Sequence, residues 1–228
     1  MSIFGNTSVY VFHFEILINL MPTLLKGLLM TIQVSILSMI LGMLVGLPTA
    51  FLRMSKRMLL RETAVIYIEI SRGMPILVFI FWVYYGIPVL TDLALSGLIS
   101  GIAALTLKYT GYLAEIFRAG IEAIRLGQKE AAYSLGFSKI QTMRRIVLPQ
   151  AFRIVMPPVG SAFIGLLQDS ALVSIIGVGD LTRKAQLAVA ETFRPFEVYT
   201  AMSILYLALT ITLSKINDYV EQKKLVTQ

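Results

Sequence analysis

Long uninterrupted apolar segments dominate this sequence, and they restrict the chain to folds that a lipid bilayer can solvate. Of its 228 residues, 57% are hydrophobic and 14% are charged, and the mean hydropathy is +0.78. Soluble domains are usually about 45–50% apolar and about 25% charged. A membrane-spanning helix needs about 20 apolar residues. We therefore predict an all-α integral membrane protein with five transmembrane helices. The predicted spans lie near Pro22–Leu52, Leu59–Val89, Gly97–Ile124, Phe152–Val178 and Phe196–Ile216.

Lysine and arginine residues are divided unequally between the two sides that these spans define. None occurs before Lys26 or in the second connection, around Gly86–Ser100, whereas they crowd the first connection, the third connection and the tail after Ile216. Cytoplasmic connections of membrane proteins carry the excess of positive charge. We therefore predict an external N-terminus, a cytoplasmic C-terminus and a cytoplasmic third connection. The fourth connection, Gly179–Arg194, is predicted to be a short helix with a loop on the external face.

Composition also excludes several classes of chemistry. The sequence has no cysteine and one histidine, His13, so neither a thiol nucleophile nor a cluster of cysteine or histidine metal ligands can form, and we expect no cofactor. It has no G-x-x-x-x-G-K-[ST] phosphate loop, so we predict that the chain is not an enzyme and does not hydrolyse ATP itself. The connections account for the net charge of +7, so no nucleic-acid partner is expected. We find no linker or repeat and predict one transmembrane domain, residues 1–228, whose N-terminus lacks the marks of a cleaved signal peptide.

Proline and glycine residues mark where the predicted spans bend or pack closely. Pro48 and Pro75 each remove a backbone donor, which kinks or ends a helix. For Pro48 we favour a role in packing, and for Pro75 a functional role, because an arginine and a glycine precede it. Gly42 and Gly46 form a G-x-x-x-G pair, which is a helix-contact motif. The first span is therefore predicted to pack closely against another helix.

Ionisable side chains at membrane depth predict a polar cavity. Such groups are costly in lipid and usually face a cavity or a partner. Glu69 and Arg72 are three residues apart and can pair. Lys108, Tyr112 and Glu115 share one face of the third span. The helical rise places Arg72 about 15–20 Å from the cytoplasmic end of its span and Lys108 about 17 Å from the external end of its own. Convergence near the midplane is typical of transporter sites. The candidate substrate-binding residues are Glu69, Arg72, Lys108, Tyr112, Glu115, Gln168, Asp169 and Ser170.

Structural roles remain open for these same residues. Two pairs can alternatively be local ion pairs that hold helices together, namely Glu69 with Arg72 and Glu115 with the nearby Arg118. Lys108 can also extend its ammonium to the membrane interface, although its depth makes this less favourable. Asp169 can alternatively form a hydrogen bond to a neighbouring span.

The third connection carries a spaced set of residues that identifies its family. The fixed positions are Glu130, Ala131, Ala132, Gly136, Ile146, Leu148 and Pro149. Their spacing resembles, at every fixed position, the EAA loop of ABC importer permeases, E-A-A-x3-G-x9-I-x-L-P. The resemblance implies that residues 127–149, hereafter the coupling loop, form a cytoplasmic helical element that fits a groove on an ATP-binding subunit. The implied ATPase-coupling residues are Glu130, Ala131, Ala132, Gly136, Arg144 and Arg145. An ordinary solvated helix start at Glu130 is the alternative, which the complete spacing disfavours.

Three further segments resemble one branch of that family, the polar amino-acid permeases for histidine, glutamine and arginine. Residues 67–75 are similar to Y-x-E-x-x-R-G-T-P, residues 114–121 to A-E-x-x-R-A-G-I, and residues 168–177 to K-D-[ST]-S-L-V-S-x-I-G. The resemblance implies a type I ABC importer fold (MetI-like) in the cytoplasmic membrane of a prokaryote, surrounded by lipid. It also implies two cytoplasmic ATP-binding subunits, a second permease subunit that is identical or related, an extracytoplasmic substrate-binding protein and an amino-acid substrate moved by alternating access.

Two departures from the branch bear on the substrate site. Gln168 stands where the branch often has lysine, and Lys108 stands in a segment where the branch often has small polar residues. If the usual lysine neutralises a substrate carboxylate, Gln168 cannot do so. Our hypothesis is that Lys108 or Arg72 supplies the positive charge, while Glu69, Glu115 or Asp169 holds the α-ammonium group.

Three other functions are alternatives for a sequence of this kind. The first is an ABC permease of the same type for another small solute, such as a phosphonate, an opine or a sulfur compound. A passive channel is disfavoured because it would not need the coupling loop. An intramembrane enzyme is disfavoured because only carboxylates and hydroxyls would be available at depth.

Overall fold

The computed structural model describes residues 12–225, with side chains described through Gln222. These residues form helices and no strand, which confirms the predicted all-α class. The helices are α1 Phe14–Arg53, α2 Met58–Gly73, α3 Ile76–Phe81, α4 Ile87–Thr91, α5 Gly97–Glu122, α6 Leu126–Ser134, α7 Lys139–Thr142, α8 Leu148–Asp169, α9 Leu181–Thr192 and α10 Pro195–Leu225. Two π-helical turns, Trp82–Gly86 and Met143–Val147, and a 3-10 segment, Ser170–Ile176, connect them.

Several of these helices are long and apolar enough to cross a bilayer. By length and composition, three stretches are candidate membrane spans, namely Phe14–Arg53, Lys139–Ile176 and Pro195–Gln222. A fourth arises if Met58–Gly73 and Ile76–Thr91, which are bent by 108° at their break, count as one span. Helix α5 is not among them, because polar side chains such as Lys108 lower its hydropathy. The number five and the orientation of the termini therefore stay predictions, and residues 1–11 and 226–228 lie outside the described part.

Helix α5 occupies the centre of the bundle. It packs against α1, α2, α3 and α8, and its side chains Leu105 and Leu113 are fully buried. The main core cluster joins them to Ile80 of α3, Leu166 of α8 and Val173 of the 3-10 segment. Polar groups carried by α5 are thereby placed inside the bundle.

Close backbone approach joins α1 to α5. A methyl group built on Gly46 would lie 3.0 Å from Leu113 Cβ and 3.3 Å from the Thr110 carbonyl oxygen, and one on Gly42 would lie 3.1 Å from Leu113 Cδ1. The hydroxyl of Ser38 adds an interhelical hydrogen bond to the Ile102 carbonyl, at 3.4 Å. The G-x-x-x-G prediction of a packed first span is therefore confirmed.

Replacing Gly46 with valine should lower the thermal midpoint of the purified protein. The branched side chain must displace Leu113 or the α5 backbone. Overpacking of this kind costs about 1–3 kcal/mol, and each kcal/mol lowers the midpoint by about 2–4 °C. Val45→Ala, at an exposed position one residue earlier, serves as the control. Equal midpoints for the two variants in a thermal unfolding assay would contradict this packing.

The proline positions behave differently from one another. Pro75 ends α2, since Met74 is extended (φ −82°, ψ 138°) and α3 begins only after Pro75. Pro48 instead lies within α1, which continues to Arg53. Tertiary packing of α1 on α5 holds that helix together beyond its proline. The break that matters for the site is therefore the one at Pro75.

The predicted short helix of the fourth connection is present as α9. Asp180 caps it, accepting hydrogen bonds from the backbone N–H groups of Thr182 and Arg183. Burial raises the pKa of this carboxyl to about 6, against the lowering effect of those bonds. The Leu181 N–H donates to Thr31 Oγ1 of α1 at 3.1 Å. The helix is thus fixed to α1, while its position on the external face stays a prediction.

Candidate functional site

The break in the second predicted span faces Lys108 on α5. Lys108 is buried, with 7% of the residue exposed, and its ammonium donates a hydrogen bond to the Met74 carbonyl oxygen at 2.8 Å. The lysine therefore reaches a backbone acceptor of the neighbouring predicted span, and its depth relative to the membrane interface stays a prediction. Its charge therefore lies against the helix break.

The ring of Tyr112 links this lysine to Arg72. Lys108 Nζ lies 5.4 Å from the ring centroid, and Arg72 Cζ lies 5.7 Å from it. Both distances fall within the range of cation–π attraction. The Arg72 residue is exposed at the surface of the single chain. Three of the predicted site residues thus form one cluster, with a guanidinium at its accessible edge.

Asp169 joins the cluster through a tyrosine that sequence reasoning missed. The Tyr109 hydroxyl donates to Asp169 Oδ2 at 3.0 Å, and the rings of Tyr109 and Tyr112 have centroids 5.6 Å apart. The interhelical hydrogen bond considered for Asp169 is therefore present. A signal was available, because Tyr109 precedes Tyr112 by three residues and so shares its side of the helix.

Three other predicted site residues lie apart from the cluster. Glu69 is exposed, and within the described residues no ion pair joins it to Arg72. Gln168 is exposed as well. Ser170 is buried on the side of α1, where Ser35 donates to its hydroxyl at 3.3 Å. The structure therefore does not bring all eight predicted residues to one place.

Glu115 belongs to a second charged network, one turn farther along α5. Its carboxylate accepts from Arg118 at 2.7 Å and lies 3.6 Å from Arg53 Nε at the end of α1. Arg118 also pairs with Glu122 at 2.5 Å. The local ion pair considered for Glu115 and Arg118 is thus present. Arg53 extends it to a second helix, and sequence spacing could not reveal that long-range partner.

The coupling loop folds as two helical pieces joined by a tight turn at Gly136. This glycine has φ +81°. Its N–H donates to the Tyr133 carbonyl at 2.9 Å, and the Phe137 N–H donates to the Ala132 carbonyl at 3.0 Å. This pair of bonds is the Schellman motif, which places its C′ residue in the left-handed region that favours glycine. A capping box between Ser138 and Gln141 then starts α7.

Buried side chains attach the coupling loop to the rest of the bundle. Val147 and Ala151 pack against Ile121 and Ile124, at the end of α5 and just beyond it. Met54, after α1, lies against the same cluster. The coupling loop is therefore packed against the ends of α1 and α5 and the start of α8.

The opposite face of the coupling loop is open. Leu135 and Ile140 are 77% and 79% exposed, Tyr133 is exposed as well, and so is Leu126 just before the loop. The coupling residues predicted from sequence divide by exposure. Glu130, Ala131, Gly136, Arg144 and Arg145 are exposed, and Ala132 is buried. This mixed apolar and basic surface can receive a protein partner.

Several known proteins resemble this chain in sequence and fold. A family model described as the binding-protein-dependent transport system inner membrane component matches residues 38–226. A probable amino-acid permease protein of Bacillus subtilis is 37% identical over 91% of this chain and 94% of its own length. The glutamine transport system permease protein of Escherichia coli is 32% identical over 89% of this chain and 93% of its own length. The crystal structure of an amino acid ABC transporter with histidines superposes with a TM-score of 0.88 at 36% identity, covering 94% of this chain and all of that one.

Proposed function

This chain belongs to the family of binding-protein-dependent transport system inner membrane components, and on that premise we propose that it carries a polar amino acid across the membrane. It is a multi-pass inner-membrane permease with the type I ABC importer (MetI-like) fold, which confirms the fold inferred from the sequence. As a permease of this family it works with an ATP-binding subunit and a substrate-binding protein. The amino-acid substrate follows from relatives that carry amino acids by name.

In this proposal ATP is hydrolysed by the partner subunits and not by the permease. The complex contains two ATP-binding subunits below two permease subunits, and the two permease subunits are identical or related. The observation that carries this proposal is the coupling loop, which is open on one face and tied to α1, α5 and α8 on the other. Closure of the ATP-binding subunits would push the two loops together. The bundle would then switch the cavity from cytoplasmic to external opening, where the substrate-binding protein delivers the amino acid.

The substrate carboxylate binds Arg72 in this proposal. Of the two cations that flank Tyr112, Arg72 is exposed, whereas Lys108 already donates to a backbone carbonyl. A planar guanidinium matches the geometry of a carboxylate. In the same proposal Glu69, which is exposed on the same helix three residues away, holds the α-ammonium group, although no described ion pair joins it to Arg72.

Replacing Arg72 with methionine should weaken amino-acid binding by about tenfold or more, the usual loss when a charged hydrogen-bond donor is removed. Binding is measured on the purified permease–ATPase complex without the substrate-binding protein, so that only the permease site is read. The panel contains histidine, glutamine, arginine and cystine. Arg57→Met, at an exposed arginine outside the cluster, should leave binding unchanged. Equal affinities for Arg72→Met and the parent would remove Arg72 from the site.

The same preparation separates this function from its alternatives. Mass spectrometry of ligand extracted from the purified complex should find an amino acid. Extraction of a phosphonate or an opine instead would favour an ABC permease for another solute.

A further inference from the structure

The helix break at Pro75 removes the Met74 carbonyl oxygen from the helical hydrogen-bond pattern. In a continuous helix the Val78 N–H would donate to the Met74 carbonyl oxygen. Here the Val78 N–H donates to the Pro75 carbonyl instead, at 3.0 Å, and the Phe79 N–H shares that acceptor at 3.4 Å. A carbonyl freed inside a membrane protein must find another donor from the protein or from water.

The donor is the ammonium of Lys108, at 2.8 Å from the Met74 oxygen. We infer that Lys108 is a positioning residue, which fixes the 108° bend of the second span by donating to this freed carbonyl, and that it is not a ligand of the transported amino acid. A charged donor suits this task, because its hydrogen bonds are shorter and stronger than those of a neutral group. Burial of the lysine leaves little room for water to replace it.

Neighbouring contacts align the same two helices. The Tyr67 hydroxyl of α2 donates to the Leu107 carbonyl of α5 at 2.7 Å. One turn on, Ser71 of α2 lies so close to Gly111 that a methyl group built on this glycine would collide with its hydroxyl. These contacts fix the first part of the span, up to the break. At the break itself, between α2 and α3, Lys108 of α5 donates to the Met74 carbonyl.

Arg72 depends on the same lysine. It lies two residues before Met74, and its guanidinium and the Lys108 ammonium rest on one tyrosine ring. A change in the bend would therefore move Arg72 relative to Tyr112. This consequence rests on the proposed role of Arg72 in binding, whereas the inference about the bend does not.

Spin-label distances test the bend directly. The chain has no cysteine, so single labels can be placed at Ile66 of α2 and Val89 of α4, both exposed. Labelled permease is diluted with unlabelled permease in the purified complex, so that distances within one chain dominate. Lys108→Met should broaden or shift the distribution, and Lys108→Arg should keep it close to that of the parent. Lys56→Met, at an exposed lysine, is the matched control and should change nothing.

Several results would overturn the inference. One is an unchanged distribution in Lys108→Met, and another is a Lys108→Arg distribution as broad as that of Lys108→Met. If the methionine variant does not assemble, Lys108→Gln, whose amide reaches less far, should show the broadening instead, and an unchanged distribution there would overturn the inference equally.

Amino-acid binding separates this inference from the proposed function. Because Lys108→Met would displace Arg72, it should weaken binding by no more than Arg72→Met does, about tenfold, while the distances change, with partial rescue in Lys108→Arg. Weakened binding with unchanged distances would make Lys108 a direct ligand and overturn the inference. If the distances change in Lys108→Met but Arg72→Met binds the amino acid fully, the inference stands and the proposed carboxylate site is rejected.

Discussion

Replacing Gly111 with valine is expected to abolish transport and to lower the thermal midpoint of the protein by about 5 °C or more. Gly111 lies where α2 crosses α5. A Cβ atom there would lie 2.9 Å from Ser71 Cβ and 3.4 Å from the Ile68 carbonyl oxygen, and it would overlap the Ser71 hydroxyl. Overpacking of this kind typically costs about 1–3 kcal/mol. The larger effect falls on function, because α2 would move away and carry Arg72 from Tyr112.

Ala119→Val on the same helix provides the control for Gly111. It adds a β-branched side chain to α5 at an exposed position, so any general cost of valine in this helix appears there too. Both variants are reconstituted with their partner subunits, and amino-acid uptake and thermal unfolding are measured. Uptake by Gly111→Val at the rate of Ala119→Val would contradict the close crossing of α2 and α5.

Replacing Gly136 with valine should uncouple ATP hydrolysis from transport. The turn requires φ +81° at this position, and the left-handed conformation costs an L-residue roughly 1–2 kcal/mol. The Schellman bonds of Phe137 and Gly136 would be lost or weakened, and the open face with Leu135 and Ile140 would change shape. We expect substrate-stimulated ATPase activity and uptake to fall by about tenfold, since a loss of 1.4 kcal/mol at the subunit contact is a tenfold change in binding.

Gly127 supplies a matched control within the same loop. A Cβ atom on Gly127 or on Gly136 meets nothing within 4 Å, but only Gly136 has a positive φ. Gly127→Val therefore adds the same bulk without the backbone conflict. Copurification with the ATP-binding subunit is assayed in parallel. If Gly136→Val binds this subunit and couples ATP hydrolysis to uptake as well as Gly127→Val does, the proposed role of the turn is contradicted.

Local sequence patterns were sufficient for the parts of the fold that depend on spacing along one helix. The G-x-x-x-G pair predicted close packing of α1, and the proline at 75 predicted a break. The three-residue offset allowed an ion pair of Glu115 with Arg118, which is present, and one of Glu69 with Arg72, which is not among the ion pairs of the described residues. Each of these depends on the helical repeat or on a missing N–H group, both of which are visible in the sequence.

Long-range partners could not be predicted in the same way. Tyr109 meets Asp169 across 60 residues, and Lys108 meets the Met74 carbonyl across 34. Nothing in the spacing of either residue indicates which helix it faces. Ser170 was expected beside Asp169 in the cavity, but the 3-10 segment turns its hydroxyl toward α1. The substrate-binding role of the eight residues predicted from sequence stays a prediction.

Uptake of radiolabelled amino acid by proteoliposomes tests the central claim, that this permease moves its substrate only when an ATP-hydrolysing partner drives the coupling loop. Vesicles contain the permease alone, or the permease with its ATP-binding subunits, each with and without enclosed ATP and with the substrate-binding protein outside. The account predicts accumulation only when the permease, the ATP-binding subunits and ATP are all present. Equal accumulation by the permease alone would contradict it.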